Sequence, residues 1–221
     1  MARPAACLFD LDGLLLDTEP LHAQAWEAAA RHFGCGLNRQ QLLALRGRRR
    51  LDCAEQVRGW IQAVGQPVPS VAELLAVRQP IAEALLVTAP PMAGAQALVE
   101  RCSALAIPMA LATSSSRAAV ALKATPHPWL TAITVRVHGD DPELRHGKPA
   151  PDVFLLAAER LGVPADDACW AFEDSPAGAQ AALAAGCRVH VVAPPQLTPA
   201  ERQQLYPGVG RFLANLEQLA L

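Results

Sequence analysis

The sequence predicts an α/β protein, a doubly wound parallel sheet carrying an inserted α-helical subdomain, on three observations. Beyond Pro90-Pro91, strand-like apolar runs alternate with helical patterns, the arrangement that gives parallel strands covered on both faces. From Glu19 to about Thr88 the periodicity is helical throughout, with no strand signal. A short apolar run, Ala5 to Phe9, precedes that block without a partner, so it joins the later sheet and the helical block becomes an insertion after the first strand. The expected division is a core of 1–17 and 89–221 with a helical insertion over 18–88.

The opening strand, 5–9, runs into Asp10-Leu11-Asp12-Gly13, a pair of carboxylates at a tight turn. Close carboxylates repel, and the repulsion is relieved by a cation or by a proton held on one of them; either suits metal or acid/base chemistry. A calcium loop places its glycine at the sixth loop position, whereas Gly13 follows Asp12 directly. A merely structural turn is the plainer alternative. Helical segments follow at 20–33, 39–46, 51–64 and 71–87, broken at Gly34-Cys35-Gly36 and Gly65-Gln66-Pro67. Asp17 and Thr18 are expected to cap the first of them.

The alternating half then reads helix 94–105, strand 107–112, helix 116–124, strand 131–137, helix 151–161, strand 168–172, helix 176–185 and strand 188–192. The tail, 198–220, reads as two short surface helices without evident chemistry. A net charge of −2 with 18% charged residues disfavours a general nucleic-acid or anionic-membrane surface. The six cysteines are scattered with no Cys-x-x-Cys pair, and Asp10 and Asp12 interrupt the only early apolar run, so reduced thiols in a cytoplasmic protein are expected. No stretch approaches the roughly 20 apolar residues that span a bilayer.

In an open parallel sheet the ligand lies beyond the carboxyl ends of the strands, where the strand order reverses. Strand 5–9 ends at Asp10 and Asp12, strand 107–112 at Thr113-Ser114-Ser115-Ser116, and strand 168–172 at Glu173-Asp174-Ser175; Lys148 lies just before the helix at 151. Asp10, Asp12 and Asp174 offer hard oxygen ligands in a number suited to Mg²⁺, which prefers a few carboxylates with water and substrate phosphate. Hydroxyl and N–H groups of Thr113, Ser114 and Ser115, at a strand-to-helix turn, suit phosphate oxygens, and Lys148 adds a point positive charge. Phosphoryl transfer needs little beyond alignment and charge stabilisation. Asp10 is the expected nucleophile, forming an aspartyl-phosphate, and Asp12 the expected general acid and later base.

These motifs resemble the haloacid dehalogenase superfamily of phosphatases over nearly the whole chain. Asp10-Leu11-Asp12-Gly13, Thr113, Lys148 and Glu173-Asp174 are similar to its four motifs in order. The resemblance implies a Rossmann-type core with a small helical cap. It also implies Asp10 as nucleophile, Asp12 as acid/base, Thr113 and Lys148 as phosphate binders, and Mg²⁺ held by Asp10, the Asp12 carbonyl and Asp174. Within the superfamily, GLLLDTE at 13–19, ALATSS at 110–115, GDDPELRHGKPAPDVF at 139–154 and FEDSPAGAQAALAAG at 172–186 are similar to the branch containing eukaryotic pseudouridine-5′-phosphatase and related sugar and polyol phosphatases. In the cap, His22 and Trp26, with Arg46 and Arg50, resemble in placement the cap residues of β-phosphoglucomutase.

His22 has a structural reading, on an apolar stripe with Trp26, and a substrate-contact reading; Trp26 is expected in the core of the cap. Arg46-Gly47-Arg48-Arg49-Arg50 reads as a solvated face or an anion clamp, with nucleic acid disfavoured by the acidic whole and the lack of aromatics. Arg50 is the expected substrate contact there, and Arg117 from the core side, against a capping or surface role. Glu173 reads as an ion-pair partner for Lys148 or a holder of metal-bound water, and the second is expected. Asp140, Asp141 and Glu143 are expected to form a solvated turn. The function expected is removal of phosphate from a small phosphorylated metabolite, a sugar, nucleoside-derived sugar or polyol phosphate. A hexose phosphomutase and a non-catalytic phosphometabolite sensor are the rivals, and the sequence is silent on oligomeric state.

Overall fold

The computed structural model describes residues 3–219, and its centre is a parallel sheet of six strands. They are β1 (Ala6–Phe9), β2 (Met109–Ala112), β3 (Val135–Val137), β4 (Cys169–Glu173), β5 (Arg188–Val191) and β6 (Arg211–Phe212). Their order is β3-β2-β1-β4-β5-β6, so the chain winds outward from β1 in one direction and restarts at β4 in the other. That reversal between β1 and β4 is where a doubly wound sheet opens a crevice at its carboxyl edge. In register, Phe9 lies opposite Phe172 of β4 and Leu111 of β2.

Alternation along β1 explains the two layers. Ala6 and Leu8 belong to the cluster with Val153, Phe154 and Ala157 of α7 (Asp152–Leu161) and Ala181 and Ala182 of α8 (Pro176–Ala184). Cys7 and Phe9 point to the opposite face, toward Leu98 and Val99 of α5 (Ala95–Ala104). Every residue of β1, β2 and β4 is buried, as expected of strands covered on both faces. Two further helices complete the core, α6 (Arg117–Ala124), capped by the Ser116 hydroxyl, and α9 (Pro199–Leu205), opened by a Thr198–Glu201 capping box.

Between β1 and α5 stand four helices: α1 (Glu19–His32), α2 (Arg39–Leu45), α3 (Arg50–Ala63) and α4 (Val71–Leu86). They bury their own cluster, in which Trp26, Ala29, Val57, Ile61 and Leu74 meet, and no strand lies among them. Capping boxes at Asn38–Gln41 and Ser70–Glu73 start α2 and α4. The expected cap at Thr18 is corrected: Thr18 makes no capping hydrogen bond, because its backbone is helical (φ −95°, ψ −16°) instead of extended and Pro20 has no N–H to offer, while its hydroxyl donates to Asp12 at 2.7 Å.

Other expectations also change. The strand expected over 131–137 shortens to Val135–Val137, since Pro128–Ala132 forms a 3₁₀ turn. The tail matches the expected pair of surface helices only in its first half: α9 has no buried residue, but the chain then adds β6 to the sheet edge, and Leu213, Leu216 (in a 3₁₀ turn, Leu216–Gln218) and Leu219 are buried against the Phe9 side. Residue 220 of that expectation lies outside the described residues. The acidic loop is partly internal, with Asp141 buried and gripped by both terminal nitrogens of Arg160 at 2.7 and 2.9 Å. Among the described residues no helix is long and apolar enough to cross a membrane.

One buried group sets a pH dependence of stability. His190 on β5 is fully buried, neither ring nitrogen has a hydrogen-bond partner, and it packs between Trp170 and Phe172 at 4.8 and 5.0 Å. Burial, reinforced by Arg211 and Arg188, drives its pKa from 6.5 down to about 4. Between those values the unfolded chain binds a proton that the folded ring refuses, so this stability is present above pH 6.5 and drains away as pH falls toward 4. The melting temperature should therefore drop across that window, and His190→Phe should flatten the drop; an unchanged slope in the variant would refute the assignment.

Candidate active site

The backbone pairing of β1 with β4 continues past the strands, as the Asp10 N–H donates to the Phe172 carbonyl at 3.1 Å. That bond sets the carboxylates after β1 beside those at the end of β4. Lys148, from the loop ahead of α7, reaches into the gap. Its fully buried ammonium donates to Asp10 Oδ1 at 2.6 Å and to Glu173 Oε1 at 2.5 Å. Asp10, Glu173 and Asp174 each bring a carboxylate oxygen to within 4.8 Å of the others. Residues separated by up to 164 positions thus meet at one point.

Asp12 faces a second set of partners. Its Oδ1 accepts from Thr18 Oγ1 at 2.7 Å and from His22 Nε2 at 3.2 Å, and its Oδ2 accepts from Ser115 Oγ at 2.7 Å. Lys123 of α6 donates to both oxygens, at 2.5 and 2.6 Å. Arg78 Nη2 donates to His22 Nδ1 at 2.8 Å; an arginine has only donors, so Nδ1 accepts and Nε2 carries the hydrogen toward Asp12. His22 is thus the neutral tautomer that donates to a carboxylate, and burial, the largest influence on it, lowers its pKa accordingly.

A loop of the helical segment comes down onto the sheet edge. Ser114 Oγ donates to the Gly47 carbonyl at 2.8 Å, and Arg46 pairs with Asp174 through Nη2 and with Glu19 through Nε at 3.1 Å. Gly47 has φ +71° and a side chain there would overlap Ser175 Oγ; Gly13 has φ +82° and a side chain would overlap the Asp174 carboxylate. Both glycines are required by close approach as well as by backbone conformation. Between the segment and the core lies a cleft of about 790 Å³, lined by Asp10, Asp12, His22, Arg49, Thr113 and Ser114 among others, a size suited to a small molecule.

The electrostatics call for a cation. Burial pushes the Asp10 carboxyl up to about 7 despite Lys148, with Glu173 and Asp12 adding repulsion. Burial likewise raises Asp174 to about 6 and Glu19 to about 8 against the pull of Arg46. Asp12 differs: burial opposes its charge, yet Lys123 and His22 hold it well below the usual carboxylate range. Were all five carboxylates (Asp10, Asp12, Glu19, Glu173, Asp174) ionised, they would outnumber the three cationic side chains they contact (Lys123, Lys148, Arg46) by two, and an added cation would let the groups that burial keeps protonated ionise. Asp174 Oδ1 is buried without a partner. A hard divalent ion fits both the charge and the oxygen donors.

The structure thus brings together Asp10, Asp12, Thr113, Ser114, Ser115, Lys148, Glu173, Asp174 and His22. Thr113 is fully buried and its hydroxyl accepts from the Ser115 N–H at 3.1 Å. Glu173 forms the ion pair with Lys148, the alternative that sequence reasoning ranked second; its Oε2 accepts from Ser175 Oγ at 3.0 Å and from two N–H groups. Both oxygens are therefore occupied, although one remains within reach of the Asp10 and Asp174 oxygens. Arg50 lines the cleft but is exposed and donates to Gln79 at 3.1 Å. Arg117 is exposed and its side chain is not among those lining the cleft; its N–H donates to Asp140. Trp26 is buried in the helical cluster, beneath Arg78.

Sequence reasoning missed Lys123, Glu19, Arg78 and Tyr206. After its first residue the helix RAAVALKA is apolar except for Lys123, on the face it shares with buried Val120, a signal available in the sequence, since a charge on a buried face needs a partner. Tyr206, in the tail taken to be without chemistry, donates its hydroxyl to the Asp174 carbonyl at 2.6 Å.

Comparison with known proteins places this geometry in context. A family model described as haloacid dehalogenase-like hydrolase matches residues 4–186. Over 198 residues the chain is 37% identical to a probable pseudouridine-5′-phosphatase of Drosophila melanogaster, covering 87% of this chain and 83% of that protein. It is 35% identical over 186 residues to the fructose-1-phosphate phosphatase YqaB of Escherichia coli, covering 83% and 94%. The crystal structure of a HAD hydrolase, family IA, variant 3, from Entamoeba histolytica superposes with a TM-score of 0.80 at 25% identity, covering 98% of this chain and 95% of that one.

Proposed function

The chain belongs to the haloacid dehalogenase-like hydrolases, and from that premise we propose that it is a Mg²⁺-dependent phosphatase acting on a small phosphorylated metabolite. A sugar, nucleoside-derived sugar or polyol phosphate is the class its named relatives favour. The observation that carries the reading is the buried ammonium of Lys148 shared by Asp10 and Glu173, with Asp174 beside them.

In the first half-reaction an Asp10 oxygen attacks phosphorus, the bond to the ester oxygen breaks, and Asp12, ionised in the free site and taking up a proton as the negatively charged phosphate enters beside it, delivers that proton to the leaving oxygen. In the second, Asp12 takes a proton from water, whose oxygen attacks the aspartyl-phosphate, releasing inorganic phosphate and restoring Asp10. The hydroxyl and N–H groups of Thr113, Ser114 and Ser115 orient the phosphoryl oxygens, and Lys148 offsets their charge. Asp10 and Asp174, with the Asp12 carbonyl, are the groups we assign to Mg²⁺, which when bound would neutralise charge on the transferring group; Glu173 borders that position.

Residues 18–88 are assigned the part of a cap over a core of 1–17 and 89–221. Support comes from the contacts this segment makes across the cleft, Arg46 to Asp174, His22 and Thr18 to Asp12, and Gly47 to Ser114. Closure of such a cap would exclude bulk water while the phosphoenzyme forms. The His22–Asp12 contact also supports a second reading, a hexose phosphomutase, in which a sugar hydroxyl replaces water in the second half-reaction.

A panel of phosphorylated sugars, polyols and nucleoside-derived sugars tests the reading. Phosphate release is expected with Mg²⁺ and should vanish with a chelator and return on adding the ion. Isomerised sugar phosphate with a bisphosphate requirement would replace the phosphatase by the mutase. Failure to turn over any of the panel, or a generic aryl phosphate, would end both in favour of a non-catalytic binding protein.

A further inference from the structure

We propose that Lys123 is a positioning residue of this active site, holding the Asp12 carboxylate in place from the core independently of the helical segment. The inference rests on the reading of Asp12 as acid and base.

Lysine is among the residues least often fully buried, because its ammonium loses hydration that only close anionic or polar partners replace. Lys123 is 0% exposed. Its Nζ donates to Asp12 Oδ1, Asp12 Oδ2 and Ser115 Oγ at 2.5, 2.6 and 2.8 Å, and these use all three of its hydrogens. The Ser115 hydroxyl in turn donates to Asp12 Oδ2 at 2.7 Å, closing a ring of three side chains.

The origin of the donors decides what the ring does. Thr18 and His22 stand at the entrance of the helical segment, and both contact only Oδ1. Ser115 and Lys123 stand on the core, on either side of the start of α6, whose Val120 is buried in the Phe9 cluster and whose first turn is capped by Ser116. When the segment swings away to admit substrate, the donors from α1 and its approach leave with it, and Lys123 with Ser115 remain on the carboxylate. Lys123 does not line the cleft, although its neighbours Ala119 and Leu122 do. It therefore touches no substrate and acts through Asp12.

A double-mutant cycle of Lys123→Met with Asp12→Asn tests this on an alkyl phosphate that the protein hydrolyses. Lys123→Met alone should lower kcat by about 100-fold, the lower end of what a positioned acid/base contributes, with KM within about threefold. In the Asp12→Asn background the same change should alter kcat by less than about threefold. An equal fractional loss in both backgrounds would show a general structural role and overturn the proposal, as would wild-type kcat in the single variant. Wild-type kcat in Asp12→Asn alone would instead overturn the assignment of Asp12. Melting curves accompany each variant, and Lys123→Gln, uncharged and of similar reach, carries the same cycle with the same criteria where the methionine protein does not fold.

Discussion

Asp10→Asn is expected to lose turnover by about 10⁴-fold or more while the protein stays folded, comparable to removal of a nucleophile elsewhere. The amide keeps the shape of the carboxylate but forms no acyl-phosphate. The fold should survive because Lys148 retains Glu173 at 2.5 Å, so no ammonium is left alone in the interior. Burial has already pushed Asp10 up to about 7, so replacing it with a neutral group removes a charge that the site holds at a cost. Two measurements check this. Phosphate release should fall below detection with an unchanged circular dichroism spectrum, and acid-quenched protein should carry no phosphate after exposure to substrate. Substantial activity in the variant would mean that another group attacks phosphorus.

The second large effect concerns stability as much as catalysis. Lys148→Met leaves Asp10 and Glu173 facing one another, both buried, without their shared cation. Breaking a buried pair by removing one partner costs about 3–5 kcal/mol, a large part of the roughly 5–15 kcal/mol that holds a domain folded. The pH dependence has a definite sign. Without Lys148 both carboxyl pKa values rise further, and a raised folded pKa favours the protonated, folded form at low pH; the deficit should therefore grow as pH rises through neutrality and shrink on acidification. Denaturant midpoints measured at acid and neutral pH check this. Turnover should fall by about 10²–10³ or more, through loss of charge stabilisation at the phosphoryl group. A midpoint at neutral pH equal to wild type would contradict the ion-pair geometry.

Much of this site could be read before any coordinates, and the reason is topological. Once 5–9, 107–112 and 168–172 are strands of one parallel sheet, the residues that follow them must share its carboxyl edge, whatever their separation in sequence. Asp10, Thr113 and Asp174 were placed by that argument alone. Where a residue's role depends on direction, the same argument stops. Thr18 has the composition and position of a helix cap, yet its hydroxyl turns to Asp12 and caps nothing, because its backbone has already entered the helical conformation and Pro20 lacks the N–H a cap would accept from. The tail, 198–220, has the polarity of a surface segment, and only the docking of Leu213, Leu216 and Leu219 on the sheet shows that it closes one edge of the core.

The pattern of apolar runs and the polar residues after each strand were enough to determine the layered fold, the insertion after the first strand and the edge at which carboxylates, hydroxyls and a lysine collect. Backbone periodicity and strand direction are local properties, written in short windows of sequence. Partner choice is not. That Lys148 bridges Asp10 and Glu173, that Lys123 reaches Asp12 across 111 positions, and that Arg46 closes on Asp174 across 128, were decided by the tertiary structure. Each of these contacts depends on side-chain reach and on which charges share a water-poor interior, and those quantities exist only once the chain has folded.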